Sequence, residues 1–212
     1  MRGRLAWLLL ASAAFAEALF ASSRSHAVAG VRPPRRTSAK AAATRATDRI
    51  YLTRGLLAAA YASGLIDRPV RSILKVPHPL TYGEFVWDDR GVPSGPVWVR
   101  VDLESQLISV FRAGHEIGTA VVLYGAERKQ TPRGIFPILA KDRDHRSSTY
   151  GNAPMPYALR LTGDGVSIHG SNVRWGYATH GCIGVPLDFA RRLFSEVHKG
   201  DQVVILSSSG TG

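Results

Sequence analysis

From residue 97 the chain alternates between apolar and polar positions with a period of two, and that pattern commits it to a sheet. Val97, Val99 and Val101 alternate with Trp98, Arg100 and Asp102, so one face of a strand is apolar and the other is not. Leu107 to Phe111 is a second β-rich run, Arg112-Ala113-Gly114-His115 supplies a turn, and Ile117 to Tyr124 is a third run. Two hairpins are therefore expected where the pattern begins. Ile135 to Leu139, Tyr157 to Leu161, Val166 to His169 and Gln202 to Leu206 read as further strands. With 21 Gly and 12 Pro the chain has the turns that such a fold needs.

One late helix interrupts the strands, from Pro186 to His198. Pro186 suits a first helical turn. Leu187, Ala190, Phe194 and Val197 are expected to form its buried stripe, and Arg192 to pair with Glu196 on the exposed side. The expectation is a mainly β domain over residues 97–206 with one principal late helix. Residues 207–212 read as a disordered tail.

Upstream the pattern is different. Arg2 and Arg4 precede the apolar run Leu5 to Ala16, and small-residue sites follow at Ala14-Phe15-Ala16 and Ala27-Val28-Ala29. Residues 1–29 read as an export signal peptide or an uncleaved anchor. That predicts a chain exported to the periplasm or cell envelope. Residues 30–96 read as linker and helical extension. Within them 30–45 is Pro-, Arg- and Ala-rich. Residues 46–63 read as a helix with Ile50, Leu57 and Tyr61 on one face and Gly64 as its stop. Residues 66–96, with five prolines, read as an extended connection.

The formal net charge is +11 and the sequence pI is about 10.4. Such a charge favours an anionic partner. No nucleic-acid motif of the usual kinds occurs, so nucleic acid is not expected. General solubility, a membrane surface and the cell wall remain open.

Cys182 is the one cysteine, which excludes a disulfide within the chain. It is either a small buried hydrophobe or a reactive thiol. Its neighbourhood, VSIHGSNVRWGYATHGCIGVP from Val166 to Pro186, also holds His169 and His180. A thiol needs a base or a positive neighbour to act as a nucleophile, and two histidines can supply one. If Thr179 to Ile183 is extended, His180 and Cys182 share a face. Gly181 leaves room for a substrate backbone, and N–H groups around it could stabilise an oxyanion. Two other readings stay open: structural histidines, and a zinc set of His169, His180 and Cys182.

Thr179-His180-Gly181-Cys182-Ile183 resembles the [ST]HGC[IV] signature of the YkuD-type L,D-transpeptidase catalytic domain. Other elements follow in the family's order. Thr131 to Phe136 resembles its TPxGxF turn, Met155 to Leu161 its MPY strand, and Ile168-His169-Gly170 its IHG element. The resemblance covers roughly residues 97–206. It implies a YkuD-like β-sandwich or barrel-like domain, with Cys182 as nucleophile and His169 as general base. It further implies that the Gly170 carbonyl orients that base, that His180 is an auxiliary and that Gly181 shapes the oxyanion pocket. Tyr157, Arg160, Thr179 and Arg174 are the candidate substrate contacts. No metal or organic cofactor is implied.

The implied activity is a peptidoglycan transferase reaction. Cys182 attacks the tetrapeptide stem carbonyl before the terminal D-alanine and forms a thioester. An amine on a second stem, or on an envelope protein, then takes the acyl group. With water as acceptor the enzyme would be a carboxypeptidase, and without a competent thiol the domain would be a wall-binding module. The chain is expected to act as a monomer. One departure stands out: many members carry arginine after HGC[IV], where this chain has Gly184. Lys141 to Asn152 (KDRDHRSSTYGN) reads as a solvated loop, a lid or a binding rim.

Overall fold

A computed structural model describes residues 43–44 (backbone only), 49–62, 68–125 and 129–206. The expected signal segment, most of the Pro/Arg-rich linker, Gly64 and the tail lie outside the described residues.

Among those residues, nine strands make one sheet and four make a second. The alternation at residue 97 becomes β5 (Val97–Asp102), paired antiparallel with β6 (Leu107–Arg112), which pairs antiparallel with β7 (His115–Val121). On the far side of β5 lies β13 (Gln202–Leu206) in parallel register, followed by β8 (Gly134–Pro137). Val99 and Val101 on β5, and Val203 and Ile205 on β13, point into the main core. Trp98 and Val204 point out of the opposite face, where Trp98 stacks on Phe111 at 4.3 Å. Both faces of this sheet are therefore covered, which explains why apolar side chains recur on its outward positions.

The second sheet consists of β9 (Ala140–Asp142), β10 (Ala158–Arg160), β11 (Ser167–Ser171) and β12 (Ile183–Pro186), in spatial order β12-β11-β10-β9. Leu159, Ile168, Ile183 and Val185 leave its inner face and meet the first sheet's inner residues in one cluster. Fully burying such a side chain contributes roughly 1.5–3 kcal/mol, so this shared cluster holds the two sheets together.

The late helix, Leu187–Glu196, starts one residue later than expected, with Pro186 as its N-cap. Its buried side is Phe189, Ala190 and Leu193, continued by Val197. Leu187 is 52% exposed, so the expected stripe was turned by part of a helical turn. Phe189 is fully buried, with its ring edge-on to Phe85 and Trp87 at 5.8 and 5.5 Å. The expected Arg192–Glu196 pair is replaced by a cross-element one. Arg112 donates to Glu196 at 2.9 Å. Lys141 donates to the Val197 carbonyl at 2.6 Å, placing a cation where the helix dipole favours it.

The N-terminal extension also departs from expectation. Residues 49–51 are not helical: Arg49–Tyr51 (β2) pairs antiparallel with Ser72–Leu74 (β3), setting Ile50 opposite Ile73. The helix here is Arg54–Ala62, and the Thr53 hydroxyl caps it by accepting from the Leu56 N–H at 3.3 Å. Tyr61 is exposed and Ala60 is its buried residue. Residues 66–96 are more than a connection. They contribute β3, and β4 (Phe85–Trp87), which pairs antiparallel with β7. Phe85 is 1% exposed, so this segment completes the core. Arg49 ties β2 down by donating to the Glu116 carbonyl at 2.6 Å and the Asp88 carbonyl at 2.5 Å. At the chain's near edge, Ala43–Thr44 (β1) runs parallel to β4.

Candidate active site

β11 and β12 lie side by side in parallel, with Ile168 opposite Ile183 and His169 opposite Gly184. Ile168, Ile183 and Val185 face the core. By strand alternation, Ser167 and His169 take the other face, the same side as Cys182 just ahead of β12. The parallel register sets His169 opposite Gly184, two residues after Cys182.

His169 is buried, and its Nδ1 lies 3.0 Å from the Gly170 carbonyl oxygen. A carbonyl only accepts, so Nδ1 carries the proton in this contact and Nε2 is left as the basic nitrogen. Burial pushes the imidazole below its ordinary value; the bond to Gly170 opposes this, and the charge of His145 adds to it. Gly170 has little space for a side chain, since a Cβ would lie 2.9 Å from a Leu187 methyl, 3.2 Å from the Pro156 ring and 3.3 Å from the Pro156 carbonyl oxygen.

Cys182 is partly buried. Its Sγ is 3.9 Å from the Gly165 carbonyl oxygen. Burial pushes the thiol above its ordinary value, while the Ser167 backbone N–H and the Lys129 cation pull it down and Asp164 raises it. The neutral forms of both Cys182 and His169 are therefore favoured at rest.

The turn that presents the thiol is fixed by backbone bonds. The Thr179 hydroxyl donates to the Cys182 carbonyl at 2.5 Å, and the Thr179 N–H to the Tyr124 carbonyl at 3.0 Å. Thr131 accepts from the Gly125 N–H at 2.9 Å and donates to the Gly181 carbonyl at 3.0 Å. Gly181 has φ +98°, a conformation that L side chains rarely adopt. Residues 180–182 form a bend and the strand begins at Ile183, so His180 and Cys182 are not adjacent members of one strand. His180 is exposed and stacks on Tyr150 at 4.4 Å.

The other expected contacts lie further out. Tyr157 packs edge-on to Phe194 at 5.7 Å. Arg160 is an exposed residue of β10, and Arg174 is exposed and donates to Asn172 at 2.9 Å. Thr179 holds the turn by the bond to Cys182. The reasoning from sequence missed Lys129, Asp164 and the N–H of Ser167, which have no signal in residue type alone. It also missed a group of exposed aromatic residues. Trp175 is 80% exposed and edge-on to Tyr82 at 5.6 Å, and Tyr177 is exposed nearby in the chain. Among the described residues, no three His, Cys, Asp or Glu side chains gather as a metal set.

Gly184 now has a physical account. A Cβ there would meet the Ser171 Cβ at 2.9 Å and Oγ at 3.1 Å. Gly184 also exchanges two backbone hydrogen bonds of 2.9 Å with Leu123, joining the two sheets beside Cys182. Any side chain at this position must displace Ser171.

Two packed sheets, with the strand of His169 running parallel to the strand that follows Cys182, define a class of mainly β, two-sheet domain. The L,D-transpeptidase catalytic domain (YkuD) matches residues 96–205, and the chain belongs to that family. An L,D-transpeptidase (Yku) from Stackebrandtia nassauensis is 24% identical, with a TM-score of 0.50 over 56% of this chain and 60% of that one. A mutant L,D-transpeptidase of Enterococcus faecium is 26% identical, with a TM-score of 0.48 over 53% of this chain and 50% of that one. The Mycobacterium smegmatis L,D-transpeptidase is 25% identical, with a TM-score of 0.47 over 52% and 58%. The chain thus spans half to three fifths of these structures. No curated protein matches it.

Proposed function

We propose that the chain is a cysteine acyltransferase, an L,D-transpeptidase acting on peptidoglycan tetrapeptide stems. The observation that carries the reading is the pairing of β11 and β12, with the His169 Nδ1 tied to the Gly170 carbonyl. The Cys182 thiol gives its proton to His169 Nε2 as sulfur attacks the carbonyl of the third stem residue. The tetrahedral intermediate collapses, the C–N bond breaks, and the proton passes to the leaving D-alanine amine. A thioester remains. An amine of a second stem or an envelope protein then attacks it, the C–S bond breaks, and the thiol is restored. Backbone N–H groups around Gly181 and Cys182 stabilise the oxyanion in both steps.

Stem peptides lie outside the cytoplasmic membrane, so the reading requires export to the periplasm or envelope. The charged and apolar start of the sequence supports that. A carboxypeptidase differs only in using water as acceptor.

The test is intact-protein mass spectrometry with a disaccharide-tetrapeptide. The expected result is an adduct lacking the terminal D-alanine on the natural chain and none on Cys182→Ala. Adding an acceptor amine then gives a cross-linked product if the enzyme is a transferase, or free tripeptide if it is a hydrolase. Absence of any adduct or turnover would leave a wall-binding module as the reading.

A further inference from the structure

Lys129 packs against the turn that carries the thiol. Its side-chain carbons run along Gly181, where a Cβ would sit 3.2–3.4 Å from them. Its Nζ reaches Asp164 at 3.6 Å. Gly181 precedes Cys182 in the chain, and Asp164 precedes Gly165, whose carbonyl oxygen is 3.9 Å from Sγ. The lysine stem therefore runs from the residue before Cys182 to the residue before Gly165, and its charge is near enough to act on the Cys182 thiol. Its backbone is packed tightly: a Cβ on Gly125 would lie 2.1 Å from the Lys129 carbonyl oxygen. Two residues on, Thr131 is bonded to both Gly125 and Gly181.

The partner of this cation is exchangeable. The Lys129 and Asp164 side chains are 41% and 66% exposed, and an ion pair in that setting contributes little. A second carboxylate entering the cleft can replace Asp164 at small cost. The acyl donor brings one. Its leaving amino acid ends in a carboxylate three bonds from the attacked carbon, so the two carbons are within about 4.3 Å.

We infer that Lys129 is a specificity-determining residue that binds the C-terminal carboxylate of the acyl donor, exchanging Asp164 for it. The inference rests on the transpeptidase reading and deepens it: the site takes donors that end in a free carboxylate. After C–N cleavage the amino acid leaves with its carboxylate, and Lys129 returns to Asp164.

The experiment compares Cys182 acylation of the full chain by a disaccharide-tetrapeptide and by its C-terminal carboxamide, followed as intact mass against time. The natural chain is expected to prefer the acid by about tenfold or more, as a charge-assisted bond implies. Lys129→Met is expected to lose about tenfold in kcat/KM on the acid and much less on the amide, so that the preference collapses. Lys129→Arg should restore most of it. Asp164→Asn should lower KM for the acid by releasing the cation. Equal losses on both donors in Lys129→Met, or a natural chain indifferent to acid and amide, would overturn the inference while leaving the transpeptidase reading intact. Acylation by neither donor, with Cys182 still alkylated by iodoacetamide, would overturn that reading and the role of Lys129 with it.

Discussion

Tyr150 and His180 stack at 4.4 Å with their planes 25° apart, which links the polar loop after β9 to the turn that presents the thiol. An aromatic pair of this kind is worth about 0.5–1.5 kcal/mol. Tyr150→Ala should therefore raise amide exchange in residues 147–152 and lower acylation by about two- to tenfold. Tyr150→Phe keeps the ring and should leave both unchanged. Unaltered exchange in Tyr150→Ala would mean that the stack does not hold the loop.

Burial pushes the Cys182 thiol up and the His169 imidazole down. Both shifts favour the neutral pair over a resting thiolate–imidazolium pair. Alkylation of Cys182 by iodoacetamide should then rise with pH through a midpoint above the usual thiol value of about 8.5, with no plateau in acid. A plateau below neutrality would reveal a standing ion pair.

Turnover should obey the same sign. His169 acts as a base only when neutral, and its value lies below the ordinary imidazole value of about 6.5. The acid limb of kcat/KM should therefore fall below that pH, with a flat profile from there to neutrality. His169→Ala should reduce acylation by roughly 10²–10⁴-fold. A limb above the ordinary imidazole value would contradict the burial seen here.

Glu116 is buried and accepts from the Leu74 N–H at 2.8 Å. Burial pushes its carboxyl up, against the Ser109 and Leu74 bonds and the charges of Arg49 and Arg100. The folded chain thus keeps a proton that the unfolded chain gives up above about pH 4.3. Its stability contribution is full below that pH and falls as pH rises through the raised value. Glu116→Gln has no such loss. Its melting temperature relative to the natural chain should therefore rise between about pH 4 and about pH 8. An equal difference at both ends would show that Glu116 does not titrate there.

A methyl group at residue 184 collides with Ser171. Gly184→Ala should cost about 1–3 kcal/mol, the usual range for overpacking. Adding Ser171→Gly should recover part of that, and denaturant melts of the single and double variants would measure the coupling.

The layout of the candidate site was legible in part because its residues lie close in sequence. His169 and Cys182 fall within one segment, and the two ends of that segment pair in parallel with His169 opposite Gly184. The β5–β6–β7 hairpins were legible for a similar reason, since period-two alternation records which face is buried. The buried side of the late helix was harder. Its two candidate stripes share Ala190 and Val197, and only the sheet beneath decides that Phe189 rather than Leu187 turns inward. Residues 49–51 misled because Ile50, Leu57 and Tyr61 have helical spacing, while the pairing of β2 with β3 is a tertiary fact. Lys129, Asp164 and Glu116 acquire their roles from neighbours far along the chain, and residue type carried no trace of that.

The paired bonds between Leu123 and Gly184 also govern the order in which this sequence can change. Backbone bonds are indifferent to residue type, so drift at Leu123 can leave them intact. Residue 184 is different, because the space beside it already belongs to Ser171. A lineage moving from glycine towards the family's arginine must first clear residue 171 and only then enlarge 184. Taken in the reverse order, the intermediate crowds Ser171 and strains the pairing of β11 with β12 beside Cys182, so two substitutions that look independent on paper are coupled.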